Sequence, residues 1–250
     1  MTNLVPEAAP EQPIRDNELR CRERFADLRE AYERREHTVP RDKYSRLKPD
    51  VLLRIQELER GILQLLASKR FSEISKKRIL EVGCGDGAWL RFLIQAGAAP
   101  ENLFGVDLIP QRIKEARRKC PQASTLLCED ASQLPFEDES FDLLLVMTVF
   151  SSILDDHLRR LLAQEMLRVL RHGGSILWYD FHINNPRNPD VRRVTDYEIR
   201  DLFPGCSVEL QRITLAPPVG RAVASVPILY WLLSETLVLC SHYLGWITRK

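Results

Sequence analysis

The chain has 250 residues, 44% of them hydrophobic, and a formal net charge of +1 at pH 7. This length and composition are enough for one domain with a full hydrophobic core. The six cysteines are scattered, without a CxxC pair or a histidine at metal-ligand spacing, which argues against a zinc site and against a disulfide framework. We therefore predict no bound metal.

The N-terminal residues are predicted to lie outside the main domain. Residues 1–13 carry prolines and acids where a secretory signal needs a basic start and an apolar stretch, so we expect a disordered tail and a cytoplasmic protein. Residues 14–37 have helical composition, with arginines interleaved with acidic residues. This pattern is typical of a solvated, ion-paired helix and argues against a nucleic-acid-binding arm.

A second helix is predicted from Asp50 to Arg70, where apolar residues recur at three- and four-residue steps. Together with the helix before it, this segment is expected to form a helical lid or cap that spans residues 14–70. The main domain is then expected to span residues 71–250.

Strands alternate with helices after this cap, which is typical of an α/β domain with helices on both faces of the sheet. Asp155 or Asp156 is placed to cap one helix, and Thr195 with Glu198 has capping-box spacing. A hydrophobic helical insertion is expected at residues 218–241, between the last two strands. The predicted strands are RILEV, LFGVDL, STLLCED, FDLLLVMTV, SILWYDF, SVELQRITLA and HYLGWITRK.

The segment RILEVGCGDGAWL places three alternating glycines between a strand and a helix. Gly83, Gly85 and Ala88 satisfy the dinucleotide-binding pattern. Asp107 lies 24 residues after Gly83, near the spacing expected of an acid that holds ribose hydroxyls. These features indicate a nucleoside-containing cofactor, either NAD or S-adenosylmethionine. No GK[ST] follows the loop, which excludes a P-loop.

Further residues favour S-adenosylmethionine over NAD. Glu81 lies on the strand just before the glycines, where its carboxylate would repel a pyrophosphate but suits the ammonium group of an amino acid. Asp130 ends the third strand, where it can accept a hydrogen bond from an adenine amine. Gly173 and Gly174 then form a turn between a helix and the fifth strand.

The motifs LEVGCGDG, GVDL, EDASQLPF, SFDLLLV and LRVLRHGG occur in this order between Ile79 and Phe181. The chain thereby resembles a class I S-adenosylmethionine-dependent methyltransferase of the small-molecule, ubiquinone-methylase-like (type 11) subgroup. The resemblance implies a Rossmann-like, seven-stranded, mostly parallel sheet whose last strand is antiparallel and lies beside the sixth. It also implies S-adenosylmethionine as cofactor and S-adenosylhomocysteine as product.

The resemblance assigns residues to the methionine end of the cofactor. Glu81, Gly83, Gly85 and Gly87 would shape this end of the site. Thr148 would lie under the sulfonium, although an ordinary residue at a strand end is an equally good interpretation of Thr148.

Other residues are assigned to the nucleoside end. Asp107 would hold the ribose 2′- and 3′-hydroxyls, and Leu108 would pack on the adenine. Asp130 and Ala131 would bind the adenine edge. Because N-terminal segments often fold over the cofactor in this family, Tyr44 is a candidate cofactor contact.

Methyl transfer to a hydroxyl benefits from a base, and the fifth strand ends in WYDFHINN. His182 is the best candidate base by its ordinary pKa. Asp180, two residues earlier, would share a face with His182 on an extended strand and could orient its ring. A surface loop histidine is the alternative interpretation of His182.

The segment MTVFSS stands where methyltransferases acting on amines carry an Asn/Asp-Pro-Pro-aromatic motif. This difference argues against an exocyclic nitrogen as acceptor and favours oxygen, with carbon and sulfur left open. We therefore predict O-methylation of a small molecule, a secondary metabolite or a glycan.

Two other functions remain open. One is a cofactor-binding but catalytically silent subunit or scaffold. The other is an NAD(P)-dependent oxidoreductase, which is disfavoured because the motifs that follow the glycine loop fit it poorly.

Residues 226–240, VPILYWLLSETLVLC, are strongly apolar. One interpretation is a helix that packs on the sheet or on a second subunit in a homodimer. The other is a contact with a hydrophobic substrate or with a membrane surface.

Overall fold

A computed structural model describes residue 30 and residues 42–69, 71, 73–185 and 188–250. The predicted tail (residues 1–13) lies outside the described residues, and so does the predicted helix at 14–37 apart from residue 30. A cap formed by these segments stays a prediction.

Seven strands form the sheet of the described part of the chain. They are β1 (Ile79–Val82), β2 (Leu103–Asp107), β3 (Thr125–Cys128), β4 (Phe141–Met147), β5 (Leu170–Phe181), β6 (Ser207–Leu215) and β7 (Cys240–Thr248). Their order across the sheet is β3-β2-β1-β4-β5-β7-β6. Neighbouring strands from β3 to β5 pair in parallel, and β7 is antiparallel to both β5 and β6. The predicted α/β fold, with an antiparallel last strand beside the sixth, is confirmed.

The helices begin and end close to the predicted boundaries. They are α1 (Pro49–Ser68), α2 (Ala88–Gln95), α3 (Pro110–Lys119), α4 (Asp156–Val169), α5 (Asp196–Leu202), α6 (Pro217–Val223) and α7 (Pro227–Ser234). Asp155 is the residue that caps α4, because its carboxylate accepts a hydrogen bond from the Leu158 N–H at 2.9 Å. The capping box of Thr195 and Glu198 is present at the start of α5.

Helices cover both faces of the sheet, as alternation along β5 illustrates. Leu177 and Tyr179 belong to the core cluster that also contains buried residues of α1, α2 and α3. The ring of Trp178 points to the opposite face, where it lies 4.7 Å from the Phe150 ring and 6.0 Å from the Phe203 ring. The sheet is therefore buried on both sides.

Helix α1 packs directly on the sheet. Leu58, Ile62 and Leu66 share one hydrophobic cluster with residues of β6 and β7. Gly61 permits this close approach, because a Cβ at that position would lie 2.6 Å from Ile213 Cδ1. The sequence analysis assigned residues up to 70 to a cap. In the structure, α1 instead shares the core of the domain predicted to begin at residue 71.

The predicted insertion at residues 218–241 consists of two short helices, α6 and α7, followed by a 3₁₀ turn at Leu237–Leu239. Pro227 begins α7, which is consistent with the break between the helices because proline cannot continue a preceding helix. Cys240 and Ser241 belong to β7, so the last strand begins two residues earlier than predicted.

We expect Ile62→Ala to destabilise the whole domain by about 2–5 kcal/mol, since its fully buried side chain fills the contact between α1 and the sheet. Leu63→Ala, at a side chain that is 45% exposed, is the matched control and should cost less than about 1 kcal/mol. Urea unfolding of both variants measures this difference. Equal stability of the two variants would mean that α1 is a detachable cap rather than part of the core.

Candidate functional site

The site is positioned by the order of the strands. In this sheet the order reverses between β1 and β4, and ligands of open α/β sheets bind outside the carboxyl ends of the strands at such a point. The glycine loop leaves β1 at this place. The N–H groups of Gly83 and Cys84 both donate to the Val106 carbonyl, at 2.8 and 2.9 Å, which holds the loop against β2.

The three glycines of the loop all have positive φ angles, of 72°, 55° and 75°, which suit glycine best. A Cβ on Gly83 would lie 2.5 Å from Val149 Cγ2, in the segment that follows β4. A Cβ on Gly87, which precedes α2, would lie 2.5 Å from Cys120 Sγ. By contrast, a Cβ on Gly85 would meet nothing within 4 Å. Gly85 therefore faces an open space at the sheet edge.

Asp107 ends β2 and is 5% exposed. Its Oδ2 accepts a hydrogen bond from the Gly85 N–H at 2.9 Å, and its Oδ1 accepts one from the Ile109 N–H at 2.9 Å. The Arg112 guanidinium lies 4.0 Å from Oδ2. This carboxylate thus fixes the middle of the glycine loop, and each of its oxygens keeps lone-pair capacity for a further donor.

Glu81 is 1% exposed on β1, and its Oε2 has no hydrogen-bond partner among the described residues. Burial, reinforced by the nearby carboxylates of Asp107 and Asp86, holds the pKa of Glu81 well above its usual range. A buried carboxyl oxygen without a hydrogen-bond partner is costly. The position is therefore one where a positively charged ligand group would be stabilised.

The residues predicted to bind adenine follow two adjacent strands. Asp107 of β2 is in register with Cys128 of β3, so the segments after both strands meet at one edge. Leu108, Asp130 and Ala131 are half-buried there. Asp130 accepts a hydrogen bond from the Ser132 N–H at 2.7 Å, which makes a tight turn at this edge.

Thr148 follows β4 and is half-buried, with a φ of 56° that is unusual for a β-branched residue. Its N–H donates to the Tyr179 carbonyl at 2.7 Å, and its hydroxyl donates to the Met147 carbonyl at 2.7 Å. Backbone strain of this kind concentrates at ligand-binding sites.

Asp180 and His182 have separate partners in the structure. Asp180 is 2% exposed, and its carboxylate accepts hydrogen bonds from the N–H groups of Ser151 and Phe181 at 2.9 and 2.8 Å. Burial raises its pKa to about 6. The expectation that Asp180 orients the His182 ring is therefore corrected: its hydrogen bonds go to the backbone of the segment after β4 and to its own strand.

His182 lies just beyond the end of β5 and is half-buried. Its Nε2 lies 2.9 Å from the Cys240 carbonyl, and its ring stacks on Tyr243. A carbonyl can only accept, so Nε2 carries the proton and Nδ1 is the nitrogen that could act as a base. Burial lowers the pKa of His182, which favours the neutral ring.

Tyr44 is 63% exposed, and the Lys43 ammonium lies 5.6 Å from its ring centroid. Its predicted contact with the cofactor stays a prediction. Among the described residues, no group of three or more His, Cys, Asp or Glu side chains could hold a metal ion.

Sequence reasoning missed a buried polar cluster beside the carboxyl ends of β5 and β6, which we term the Glu57 cluster. One signal was present, since Glu57 lies four residues from both Leu53 and Gly61 on the buried face of α1. The other partners come from distant parts of the chain. The members of the cluster are Glu57, Tyr179, Thr214, Tyr230 and His242.

Comparisons with known proteins agree with this geometry. Residues 79–174 match a family profile described as a methyltransferase domain. Over 115 residues the chain is 41% identical to phthiotriol/phenolphthiotriol dimycocerosates methyltransferase 1 of Mycobacterium ulcerans, a match covering 45% of this chain and 41% of that protein. Over 126 residues it is 37% identical to the fatty-acid O-methyltransferase of Mycolicibacterium smegmatis, covering 50% of this chain and 44% of that protein.

The fold also resembles the crystal structure of an S-adenosylmethionine-dependent methyltransferase from Mesorhizobium loti, with a TM-score of 0.53 and 19% sequence identity over 71% of this chain and 93% of that chain. The chain therefore contains a region, residues 79–174, that matches a methyltransferase domain, and it has the fold of a solved S-adenosylmethionine-dependent methyltransferase. It spans less than half the length of either curated relative.

The residues of the site fit S-adenosylmethionine as the cofactor. The unpartnered Oε2 atom of Glu81 suits the ammonium of the methionine portion. The open space at Gly85 lies beside Asp107, whose carboxylate can accept from ribose hydroxyls. Glu81 would thus hold the methionine end of S-adenosylmethionine, and Asp107 would hold its ribose.

We expect Gly85→Ala to abolish or weaken S-adenosylhomocysteine binding by about tenfold or more, because the new methyl group enters the open space at the loop. Gly173→Ala is the matched control, since Gly173 has a φ of 73° and likewise no atom within 4 Å of a built Cβ. Both substitutions should cost about 1–2 kcal/mol of backbone strain. Isothermal titration calorimetry that finds equal affinity in both variants would place the cofactor elsewhere.

Proposed function

We propose that the protein transfers a methyl group from S-adenosylmethionine to an oxygen of a lipid-like small molecule. The observation that supports methyl transfer is the buried Glu81 Oε2 atom, which lacks a hydrogen-bond partner among the described residues and lies on the strand that leads into the open glycine loop. The lipid character of the acceptor is supported by the names of the two relatives, which refer to a phthiotriol dimycocerosate and to a fatty acid.

The cofactor supplies the reactive methyl group on a sulfonium. The chain's own task is to hold both reactants in line, which can contribute up to about 7–11 kcal/mol. Asp107 and Glu81 would hold the cofactor, and Leu108, Asp130 and Ala131 would bind the adenine. Thr148, in its strained conformation at the end of β4, would line the reacting end of the site.

The acceptor decides whether a base is needed. A carboxylic acid is ionised at neutral pH, so its oxygen needs no base. A hydroxyl needs one, and His182 Nδ1 is the candidate. Asp180 would act through the backbone, by holding the segment that contains Ser151 near the acceptor.

The test is methyl transfer from radiolabelled S-adenosylmethionine to matched fatty acids and fatty alcohols. We expect labelled methyl ester or methyl ether from the wild-type protein, and His182→Ala should reduce kcat for the alcohol by about 10²–10⁴-fold while affecting the acid little. His157→Ala, at an exposed histidine, is the control.

Two outcomes of this methyl-transfer assay would contradict the proposal. No labelled lipid with either acceptor, despite tight S-adenosylhomocysteine binding, would favour the silent scaffold or a non-lipid acceptor such as a glycan. Equal turnover of the alcohol by both histidine variants would remove His182 from the mechanism.

We also propose that the end of the insertion contacts a lipid surface, from which the acceptor enters. No helix in the described part of the chain is long and apolar enough to cross a membrane. However, six large apolar side chains are exposed within thirteen residues, and Arg221 on α6 is exposed as well. We term these six the apolar patch: Val226, Ile228, Leu229, Leu232, Leu237 and Val238.

Replacing both Ile228 and Leu232, which are 75% and 64% exposed, by serine should strongly reduce co-sedimentation with anionic liposomes, because burial of apolar area drives such binding. Leu154→Ser, at a side chain that is 52% exposed outside the insertion, is the control. Unchanged sedimentation would contradict a lipid contact. If the double variant instead turns a dimer into a monomer in analytical ultracentrifugation, the patch is a subunit interface.

A further inference from the structure

Glu57 is a buried carboxylate that the proposed reaction does not use. It is 3% exposed on α1, on the helix face that packs against the sheet. A charged group in such a place is destabilising unless its hydrogen bonds are satisfied. Its partners therefore indicate why the position is acidic.

These partners belong to two further segments of the chain. Glu57 Oε1 accepts a hydrogen bond from the Thr214 N–H at 2.8 Å, and Oε2 accepts from the Leu215 N–H at 3.4 Å and from the Tyr230 hydroxyl at 2.8 Å. Thr214 and Leu215 end β6, just before the insertion, and Tyr230 lies in α7 within it. One carboxylate thus joins α1, the end of β6 and the insertion.

Thr214 adopts an unusual conformation to make its bond. It is fully buried and β-branched, yet its φ is 68°. The pairing of β6 with β7 passes from Ile213–His242 to Leu215–Cys240, and the Thr214 N–H points to Glu57. Such strain persists only where the surroundings fix it, and it concentrates at ligand clamps and active sites.

The same residue connects the insertion to the proposed reaction site. The Thr214 hydroxyl lies 3.0 Å from the Tyr179 hydroxyl, and the Tyr179 carbonyl accepts the Thr148 N–H at 2.7 Å. A continuous set of hydrogen-bonded residues therefore runs from Tyr230 to the end of β4. Acceptors of an open α/β sheet bind above this carboxyl edge.

The insertion has further attachments. Ala224 and Tyr230 share a buried hydrophobic cluster with Leu53 of α1 and Leu215 of β6. At its base, the Ala216 N–H donates to the Leu239 carbonyl at 2.8 Å. On the surface, the Arg60 guanidinium lies 4.6 Å from the Trp231 ring centroid and 3.6 Å from the Glu235 carboxylate. Since exposed ion pairs contribute little, the Glu57–Tyr230 bond is the main polar attachment of α7 to α1 that is buried in the described part of the chain.

We propose that Glu57 is a positioning residue whose bond to Tyr230 fixes the insertion as a wall of the acceptor site. The inference rests on the proposed function, because the ligand that this wall would contact is the lipid acceptor. The apolar patch on the outer side of the same insertion would then lead to the site.

The experiment compares Tyr230→Phe with Tyr197→Phe, which removes a hydroxyl from a side chain that is 79% exposed. Hydrogen–deuterium exchange of the full chain in residues 217–239 should accelerate about tenfold in Tyr230→Phe only, as expected for the loss of one charge-assisted hydrogen bond. Affinity for a fluorescent fatty acid, dansyl-undecanoic acid, should fall by a similar factor. Affinity for S-adenosylhomocysteine should stay unchanged.

Results that differ from these expected changes in exchange and affinity lead to different conclusions. Faster exchange with unchanged fatty-acid affinity would make the bond an anchor with no part in acceptor binding, and would overturn the proposal, as would exchange equal to wild type. Faster exchange in residues 79–107 as well would indicate general destabilisation and also count against it. If the wild-type protein binds S-adenosylhomocysteine but not the fatty acid, the lipid acceptor itself is wrong.

Glu57→Gln provides a second variant, with Glu59→Gln on the same helix as its control. Glu59 is ion-paired with Arg46 at the surface. Glutamine keeps an oxygen for the Thr214 N–H but removes the charge that strengthens the bond from Tyr230. The proposal requires the same pattern of exchange and affinity changes as in Tyr230→Phe, and a wild-type pattern would contradict it.

Discussion

The Asp107 carboxylate is the interaction on which the rest of the site depends. One oxygen holds the Gly85 N–H and the other holds the Ile109 N–H, so a single side chain sets the path of the glycine loop and of the turn into α3. The loop then lies between β2 and the segment after β4, where Gly83 leaves no room for a Cβ beside Val149. The Oε2 atom of Glu81 is buried on β1 without a hydrogen-bond partner among the described residues. We infer that two acids and three left-handed glycines prepare one edge of the sheet for a ligand with both hydroxyl and cationic groups.

Much of the fold was predictable because its elements are local. Apolar runs located all seven strands, and the buried run in β4 identified a central strand. Strand order is not encoded in periodicity, and the family resemblance predicted only one part of it, the antiparallel last strand beside the sixth. The start of β5 was misplaced because Gly173 and Gly174 resemble a turn. In the structure β5 begins at Leu170, with a register shift between Phe141 and Leu143 of its partner strand.

The candidate site also has residues that the sequence could predict and residues that it could not. The glycines and the two acids were found from short-range spacing, whereas the pairing of Asp180 with His182 assumed that strand alternation continues. It fails because β5 ends at Phe181, so His182 already belongs to the loop. The Glu57 cluster could not be read from spacing, since its bonds join residues 157 and 173 positions apart. Only the tertiary structure brings α1, β6 and the insertion together.

The most direct test of the central claim is parallel calorimetric titration of the wild-type protein and Asp107→Ala with S-adenosylmethionine, S-adenosylhomocysteine and NAD. We predict micromolar binding of the two sulfur nucleosides to the wild type and no binding of NAD. Asp107→Ala should lose binding of both sulfur nucleosides while it remains folded by circular dichroism. Binding of NAD alone, or unchanged affinity of Asp107→Ala for S-adenosylhomocysteine, would contradict it.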